Sequence, residues 1–278
     1  MTLVAAAPRE ITREEFCDIG DLLHACAGIR LLPGKEALVM GRLDKRLRQL
    51  GLATYGEYLR LLRAPNQREE LQQAVDLLTT NETYFFREER HFTFFRHVVI
   101  PAHRTDRPLR VWSAASSSGE EAYSAAMVLA EALPDAPWEV VGSDISSRVV
   151  RSAQRGVYPI EAAAQIPGPL LRKYCRKGRN EYDGMMAISP ELRARVTFVC
   201  ANLMDDLSAL GMFDVILLRN VMIYFDAETR STLIPRLQEM LRPGGYLIVG
   251  LSETLNRISS RLHLINTSIY QLDGGERG

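Results

Sequence analysis

The residues best suited to chemistry begin at Val111-Trp-Ser-Ala-Ala-Ser-Ser-Ser-Gly-Glu-Glu121. An apolar run enters a turn of small residues and a helical pattern leaves it. A ligand can therefore approach the backbone and meet the free N–H groups of a helix start. Only Gly119 is present, so this is not the GxGxxG fingerprint of dinucleotide binding. Glu120 and Glu121 stand where a pyrophosphate would dock. Their charge repels a phosphate and favours a cationic or ammonium group. The alternative is that acidic residues simply suit a first helical turn. Asp144 follows the next apolar run, Trp138-Glu-Val-Val141. Alone it reads as an N-cap or Asx-turn aspartate. Paired with the small-residue loop, it stands where a carboxylate accepts hydrogen bonds from both hydroxyls of a ribose.

Two further segments converge on the same chemistry. Phe213-Asp-Val-Ile-Leu-Leu218 delivers Arg219-Asn-Val-Met-Ile-Tyr-Phe225 to the carboxyl edge of a parallel sheet, where ligands of such sheets bind. Asn220 and Tyr224 are the informative residues there; the apolar ones around them read as packing. In Leu77-Leu-Thr-Thr-Asn-Glu-Thr-Tyr-Phe-Phe-Arg87, Tyr84, Phe85 and Phe86 read as core aromatics. Asn81, Thr83 and Arg87 are left without an evident structural duty. His24, His91, His97, His103 and His263 form no spacing pattern and receive no catalytic role. Cys17, Cys26, Cys175 and Cys200 include no close-spaced pair, so neither a metal site nor a disulfide framework is expected.

These residues need elements to hold them. From about residue 11 to 80 the apolar positions recur at helical spacing: Phe16, Ile19, Leu22, Leu23 and Cys26 behind a Thr12–Glu15 capping box; Val39, Leu43, Leu47 and Leu50 closed by Gly51; Tyr55, Tyr58, Leu59 and Leu62 behind Thr54; Leu71, Val75 and Leu78. After Pro101 short strands alternate with helices. Strands are expected at Leu109-Arg-Val-Trp112, Trp138-Glu-Val-Val141, Val196–Cys200, Phe213–Leu218 and Tyr246-Leu-Ile-Val249, with helices over 120–133, 146–154 and 228–241. That order implies a parallel sheet covered on both faces. Residues 156–195 break it and read as an insertion. Within them, the polar turn Lys173-Tyr-Cys-Arg-Lys-Gly-Arg-Asn-Glu-Tyr-Asp-Gly184, followed by Met185-Met-Ala-Ile188, suggests a small antiparallel appendage with an exposed edge. Such an edge accepts an extended peptide by strand addition; the alternative is a loop capping the substrate entrance.

The 278 residues are 46% hydrophobic and 24% charged, with 34 basic residues balanced by 34 acidic ones. Zero net charge supplies no global field for a polyanion, so nucleic acid is not an expected partner. Met1 to Glu10 lacks a basic flank before an apolar core, and no apolar stretch approaches the roughly 20 residues of a membrane span. The chain reads as cytosolic. One local asymmetry stands out: Arg30, Lys35, Arg42, Lys45, Arg46 and Arg48 face only Glu36 and Asp44, and Arg42, Lys45 and Arg46 share one helical face. A solvated stripe is the alternative to a docking surface.

Together the segments Thr79-Thr-Asn-Glu-Thr-Tyr-Phe-Phe-Arg87, Trp112-Ser-Ala-Ala-Ser-Ser-Ser-Gly-Glu-Glu-Ala-Tyr-Ser124, Ser143-Asp-Ile-Ser146, Ala201-Asn-Leu203 and Arg219-Asn-Val-Met-Ile-Tyr-Phe-Asp226 resemble the chemotaxis receptor methyltransferase (CheR) family. Its members use S-adenosylmethionine to esterify glutamate side chains of bacterial chemoreceptors. Ser116, Ser118 and Ala122 depart from residues common in the family but keep the loop small. The resemblance implies an α/β fold: a Rossmann-like class I methyltransferase sheet, an N-terminal all-helical domain over 1–83, a linker over 84–108 contributing to the active site, and a methyltransferase domain over 109–278 with a β-subdomain at about 156–195. It implies that Glu121 holds the cofactor's ammonium and Asp144 its ribose hydroxyls. Asn202 and Leu203 would border the adenine, and Asn220 and Val221 the methionine and sulfonium side. Asn81, Thr83 and Arg87 would reach over from the first domain. Arg87 would bind the cofactor carboxylate or, as favoured here, sit by the methyl acceptor, with Tyr224 beside it as the second catalytic residue. Arg42, Lys45 and Arg46 would meet the acidic receptor helices.

The implied product is S-adenosylhomocysteine. The implied partner is the cytoplasmic domain of chemoreceptors, with a receptor C-terminal pentapeptide docking on the β-subdomain in some members. No nucleic acid, membrane insertion or metal is expected, and the chain is expected to act as a monomer. A glutamate carboxylate is already ionised at pH 7 and needs no general base. Rival readings are a methyltransferase for another protein or a small carboxylic acid, an adaptor that binds cofactor without turnover, and a nicotinamide dehydrogenase, the last disfavoured by the missing glycines.

Overall fold

The computed structural model describes residues 9–103 and 106–274, so most of the Met1 to Glu10 segment lies outside the described residues. The chain separates into two units, one ending at Thr80 and the other starting at Asn81. In the first, α1 (Arg13–Ala27) and α3 (Tyr55–Arg63) both begin at capping boxes. Thr12 Oγ1 accepts the Glu15 N–H at 3.1 Å while Glu15 accepts the Thr12 N–H at 2.9 Å, and Thr54 and Glu57 repeat the exchange. Gly28 and Gly51 end α1 and α2 (Glu36–Leu50) in the left-handed conformation. With α4 (Arg68–Leu78), these helices bury Phe16, Ile19, Leu23, Val39, Leu43, Leu47, Tyr58, Leu62 and Val75. Leu50, expected in the stripe, is exposed at the end of α2.

In the second unit, α5 (Arg90–Phe94) runs through a π-helical turn at Phe95–Val99 into α6 (Ile100–Ala102). A seven-stranded sheet follows, in the order β6-β2-β1-β7-β8-β10-β9. The strands are β1 (Leu109–Ser113), β2 (Trp138–Asp144), β6 (Val196–Cys200), β7 (Phe213–Leu218), β8 (Leu241–Val249), β9 (Leu262–Asn266) and β10 (Ile269–Leu272). The five expected strands are all present, and they pair parallel throughout. The C-terminal β9–β10 hairpin is antiparallel and joins the sheet through β8. It escapes a periodicity search because Leu264 and Ile265, adjacent and both apolar, are both exposed. β8 begins at Leu241, earlier than the expected Tyr246, so Pro243-Gly244-Gly245 lies inside the strand that follows α11 (Ala227–Glu239). β1 lies between β2 and β7, the point where strand order reverses and where a crevice opens at the carboxyl edge. α7 (Glu120–Ala132) packs on β1 and β2, and α8 (Ser147–Arg155) on β2 and β6.

The insertion folds as expected into a three-stranded antiparallel sheet, β3-β5-β4, with β5 (Met185–Ile188) between β3 (Val157–Pro159) and β4 (Cys175–Lys177). The short helices α9 (Gly168–Tyr174) and α10 (Pro190–Arg193) flank β4 and follow β5. This is more than a loop. Tyr158, Met186 and Ile188 are buried in the same core as α7, and Tyr158 Oη donates to the Ser118 carbonyl at 2.8 Å.

Two buried contacts hold the carboxyl edge in place. Gly142 in β2 lies opposite Ser113 and Phe198. A Cβ there would fall 2.5 Å from the Phe198 ring and 3.0 Å from Ser116 Oγ, so only glycine lets the loop after β1 settle on the sheet. His91 on α5, 2% exposed, places Nε2 2.7 Å from Ser268 Oγ in the β9–β10 turn and Nδ1 3.4 Å from Glu88. Burial, with the nearby Arg219 charge, pulls its pKa down to about 4 against the attraction of Glu88.

Gly142→Ala should therefore lower stability by about 1–3 kcal/mol, the scale of an overpacked core, measured as a fall in melting temperature. The His91 prediction follows from linkage. The unfolded chain takes up a proton near pH 6.5 that the folded chain refuses until about pH 4, so the neutral ring's contribution is complete above 6.5 and is lost as pH falls towards 4. The melting temperature of His91→Gln should fall less across that window than that of the unaltered protein.

Candidate active site

The loop after β1 is strung between its neighbours. Ala114 N–H donates to the Leu217 carbonyl of β7 at 2.9 Å and Ser116 N–H to the Ser143 carbonyl of β2 at 2.8 Å. Ser117 and Gly119 adopt positive φ before α7 starts. The adjacent glutamates then part ways. Glu120 is buried and accepts the Ser118 hydroxyl at 2.8 Å. Glu121 reaches the switch point, taking the Ser113 hydroxyl at 2.6 Å on one oxygen and Arg219 at 2.8 Å on the other. Burial raises the pKa of both carboxyls; for Glu121, Arg219 and Ser113 oppose the rise. Asp144, the last residue of β2, accepts the backbone N–H groups of Ser117 and Ser146, each at 2.9 Å. It is thus the Asx-turn aspartate that its sequence also allowed, and it pins the loop from β1 to the end of β2. An ionised carboxylate is an acceptor-only group, the chemistry that ribose hydroxyls require.

Beside this loop lies a frame that the sequence reading missed. Arg219, directly after β7, has 1% of its side chain exposed. It bonds Glu121, Glu88 at 3.2 Å and the Arg87 carbonyl, and lies 5.5 Å from the Phe92 ring centre. Glu88 also accepts the Asn220 side-chain amide at 3.1 Å and the Leu251 N–H at 3.2 Å. Burial pushes the Glu88 carboxyl up, but the Asn220 bond and the Arg219 charge outweigh it and hold it below the ordinary range. Glu253, buried after β8, accepts the N–H groups of Asn220 at 2.8 Å, Gly250 at 2.7 Å and Ile223 at 3.3 Å. Asn220 sits at φ 57°, a conformation asparagine tolerates better than most residues. A Cβ on Gly250 would come within 2.8 Å of both the Asn220 amide and Glu253. Position is the signal that would have found Arg219 and Glu253: both are charged residues just beyond the carboxyl ends of buried parallel strands.

The remaining expected residues distribute as follows. Asn81, Thr83 and Arg87 belong to the second unit and not to the first. The Asn81 carbonyl accepts the Ser117 hydroxyl at 2.8 Å, and the Phe85 and Phe86 N–H groups bond Gln165 and Ser124, which ties this segment to the sheet domain. Thr83 is half-buried. Arg87 donates to the Glu82 carbonyl at 3.0 Å and lies over the Tyr84 ring at 5.6 Å. Phe85 is the buried member of the aromatic trio; Tyr84, expected in the core, is exposed. Asn202 closes the turn after β6 by accepting the Met204 N–H at 3.0 Å, with Leu203 buried next to it. Val221 and Tyr224 are half-buried in the turn after β7. Among the described residues no group of His, Cys, Asp and Glu is arranged to hold a metal.

In the first unit, Arg42 donates to the Leu78 carbonyl at 2.5 Å and to the Thr80 hydroxyl at 2.8 Å, both at the end of α4. Arg46 forks onto buried Glu70, which also accepts the Tyr58 hydroxyl at 2.7 Å. Of the three stripe residues, Lys45 is the exposed one. Helical spacing alone cannot see partners on a different helix.

The chain matches "CheR methyltransferase, all-alpha domain" over residues 14–79 and "CheR methyltransferase, SAM binding domain" over 81–271. Chemotaxis protein methyltransferase 2 of Pseudomonas aeruginosa is 41% identical over 263 residues, 93% of each chain. Chemotaxis protein methyltransferase of Escherichia coli is 39% identical over 260 residues, covering 92% of this chain and 90% of its own. The junction between the two matched domains coincides with the division of the structure at Thr80 and Asn81. Matched in both domains and aligned with these relatives over nearly their full length, the chain belongs to the CheR methyltransferase family.

Proposed function

We propose that the chain transfers the methyl group of S-adenosylmethionine to glutamate carboxylates on the cytoplasmic domain of chemoreceptors, leaving glutamate methyl esters and S-adenosylhomocysteine. The order of residues along the carboxyl edge carries this reading. Asn202 and Leu203 follow β6, Asp144 ends β2, Glu121 opens the helix after β1, and Asn220 and Val221 follow β7. Neighbouring strands lie about 4.8 Å apart, so the edge from β6 to β7 spans about 14 Å. That matches an extended ligand with a base at one end, a ribose next and an amino acid beyond. The acceptors suit the cofactor in the same order: a carboxylate for the ribose hydroxyls and one for the ammonium.

When bound, the cofactor supplies an electrophilic methyl group on a positively charged sulfur. The chain's own work is to bind and orient. Asn202 and Leu203 border the adenine, Asp144 takes the ribose hydroxyls, Glu121 the ammonium, and Asn220 and Val221 line the reacting side. Asn81 and Thr83 close over the cofactor from the segment fastened to Ser117. Arg87 orients the acceptor carboxylate through a bidentate bond, and Tyr224 lies on the same side. With the acceptor already ionised, rate comes from aligning oxygen, methyl and sulfur and from stripping water off the carboxylate.

Receptor recognition rests on two surfaces. The face of α2 carrying Arg42, Lys45 and Arg46 meets acidic receptor helices, with exposed Lys45 as its free-standing charge and the two arginines braced by Leu78, Thr80 and Glu70. The β3-β5-β4 sheet has β4 at an edge, where a receptor C-terminal pentapeptide adds as a strand. Lys173 and Arg176 pair with Glu131 and Glu191, while Lys177 and Arg179 are exposed beside that edge. Among the described residues no helix is long and apolar enough to cross a membrane.

Incubation with methyl-labelled cofactor and membranes carrying chemoreceptors should yield base-labile methyl esters; their absence overturns the reading. Arg87→Ala should cut transfer far more than it weakens S-adenosylhomocysteine binding measured by calorimetry. Equal losses would move Arg87 to the cofactor carboxylate. Lys45→Glu should raise the receptor KM, most at low salt, because the contact is exposed and screened. A KM independent of both salt and this substitution would return the stripe to solvent.

A further inference from the structure

Ile223 and Leu251 are large apolar side chains left 59% and 39% exposed. Singly exposed hydrophobic residues are ordinary. These two are distinguished by what holds them. The Ile223 N–H donates to Glu253 at 3.3 Å, and the Leu251 N–H donates to Glu88 at 3.2 Å. Asn220 joins the same two carboxylates, through its backbone N–H to Glu253 and its side-chain amide to Glu88. Glu88 in turn is held by Arg219, whose side chain is 1% exposed. Both apolar residues therefore stand on backbone fastened to the buried frame, one on the loop after β7 and one on the loop after β8. Ile223 immediately precedes Tyr224 and follows Asn220 and Val221 within the same turn. An exposed apolar side chain on a pinned backbone loses little further freedom when a partner covers it, which favours docking.

We infer that Ile223 and Leu251 form an apolar lip at the active-site mouth that seats an apolar side chain of the acceptor protein flanking the methylated glutamate. The inference rests on the protein-methyltransferase reading above and deepens it. Continuity decides the occupant: the lip adjoins the residues that flank the transferred methyl group, so what reaches it is the surface carrying the acceptor carboxylate. A small carboxylic acid would have nothing to lay across it.

The test measures esterification kinetics on chemoreceptor membranes with Ile223→Ser, Leu251→Ser and the double variant, alongside S-adenosylhomocysteine affinity and melting temperature. Losing this much apolar contact should raise the acceptor KM about tenfold in the double variant, with kcat held within about twofold. Cofactor affinity and melting temperature should stay at the wild-type values. Ile223→Val should retain a near-normal KM. Leu264→Ser serves as the control: that side chain is 60% exposed on β9, the outer strand, and its loss should change nothing. A double variant with the wild-type KM, or an equal rise in Leu264→Ser, overturns the lip while leaving the methyltransferase reading intact. A wild-type chain that binds S-adenosylhomocysteine but esterifies no receptor overturns both.

Discussion

The site depends on one buried guanidinium. Arg219 sits between Glu121, from the helix after β1, and Glu88, from the segment ahead of α5, while its own backbone continues β7. Two carboxylates at this depth without a cation would repel one another and tend to protonate; with Arg219 between them they share one counter-charge. Removing one member of such a group strands a buried charge, which typically costs about 3–5 kcal/mol. The arrangement ties three separate stretches of chain to one point at the strand-order reversal. Through Glu88 it also sets Asn220 and Leu251, so the geometry of two further loops is inherited from the same cation.

A second layer explains why the edge is rigid where function needs it. Glu253 gathers the backbone N–H groups of Asn220, Ile223 and Gly250 from the loops after β7 and β8, and Asp144 gathers those of Ser117 and Ser146 from the loops after β1 and β2. Backbone N–H groups that would otherwise point into the crevice are thus satisfied by acidic side chains. The ends of four adjacent strands become one continuous acidic edge, suited to a ligand rich in hydroxyl and ammonium groups and poorly suited to phosphate.

Much of this was legible in the residues. The capping box at Thr12, the cap at Thr54, the five parallel strands and the antiparallel insertion follow from local pattern, and local pattern is what decides them. The positions of Glu121, Asp144 and Asn220 at strand ends follow from the apolar runs before them, and Asn202 enters through the family resemblance alone. What stayed hidden was long-range. The fork of Arg46 onto Glu70 and the Arg219–Glu88 pair join residues far apart in the chain, and no spacing rule reports such partners. Tyr84 illustrates the converse: an aromatic run reads as core throughout, but while Phe85 is buried and Phe86 packs against the core, Tyr84 faces solvent beneath Arg87. The β9–β10 hairpin went unread because its outer strand exposes apolar side chains on both faces.

The long reach of the Arg219 contacts also bears on how the protein is made. Its bonds to Glu121 and Glu88 close loops of 98 and 131 residues. Contacts of such separation carry a large closure entropy and belong to the late, slow part of folding. Glu253, which fixes Asn220, is encoded later still. A growing polypeptide can fold its first helical unit early, because the contacts of that unit are local to residues up to Thr80. Its carboxyl edge, by contrast, has no finished form until the chain has been synthesised past β8. The finished carboxyl edge is therefore a property of the nearly complete protein, absent from its N-terminal fragments.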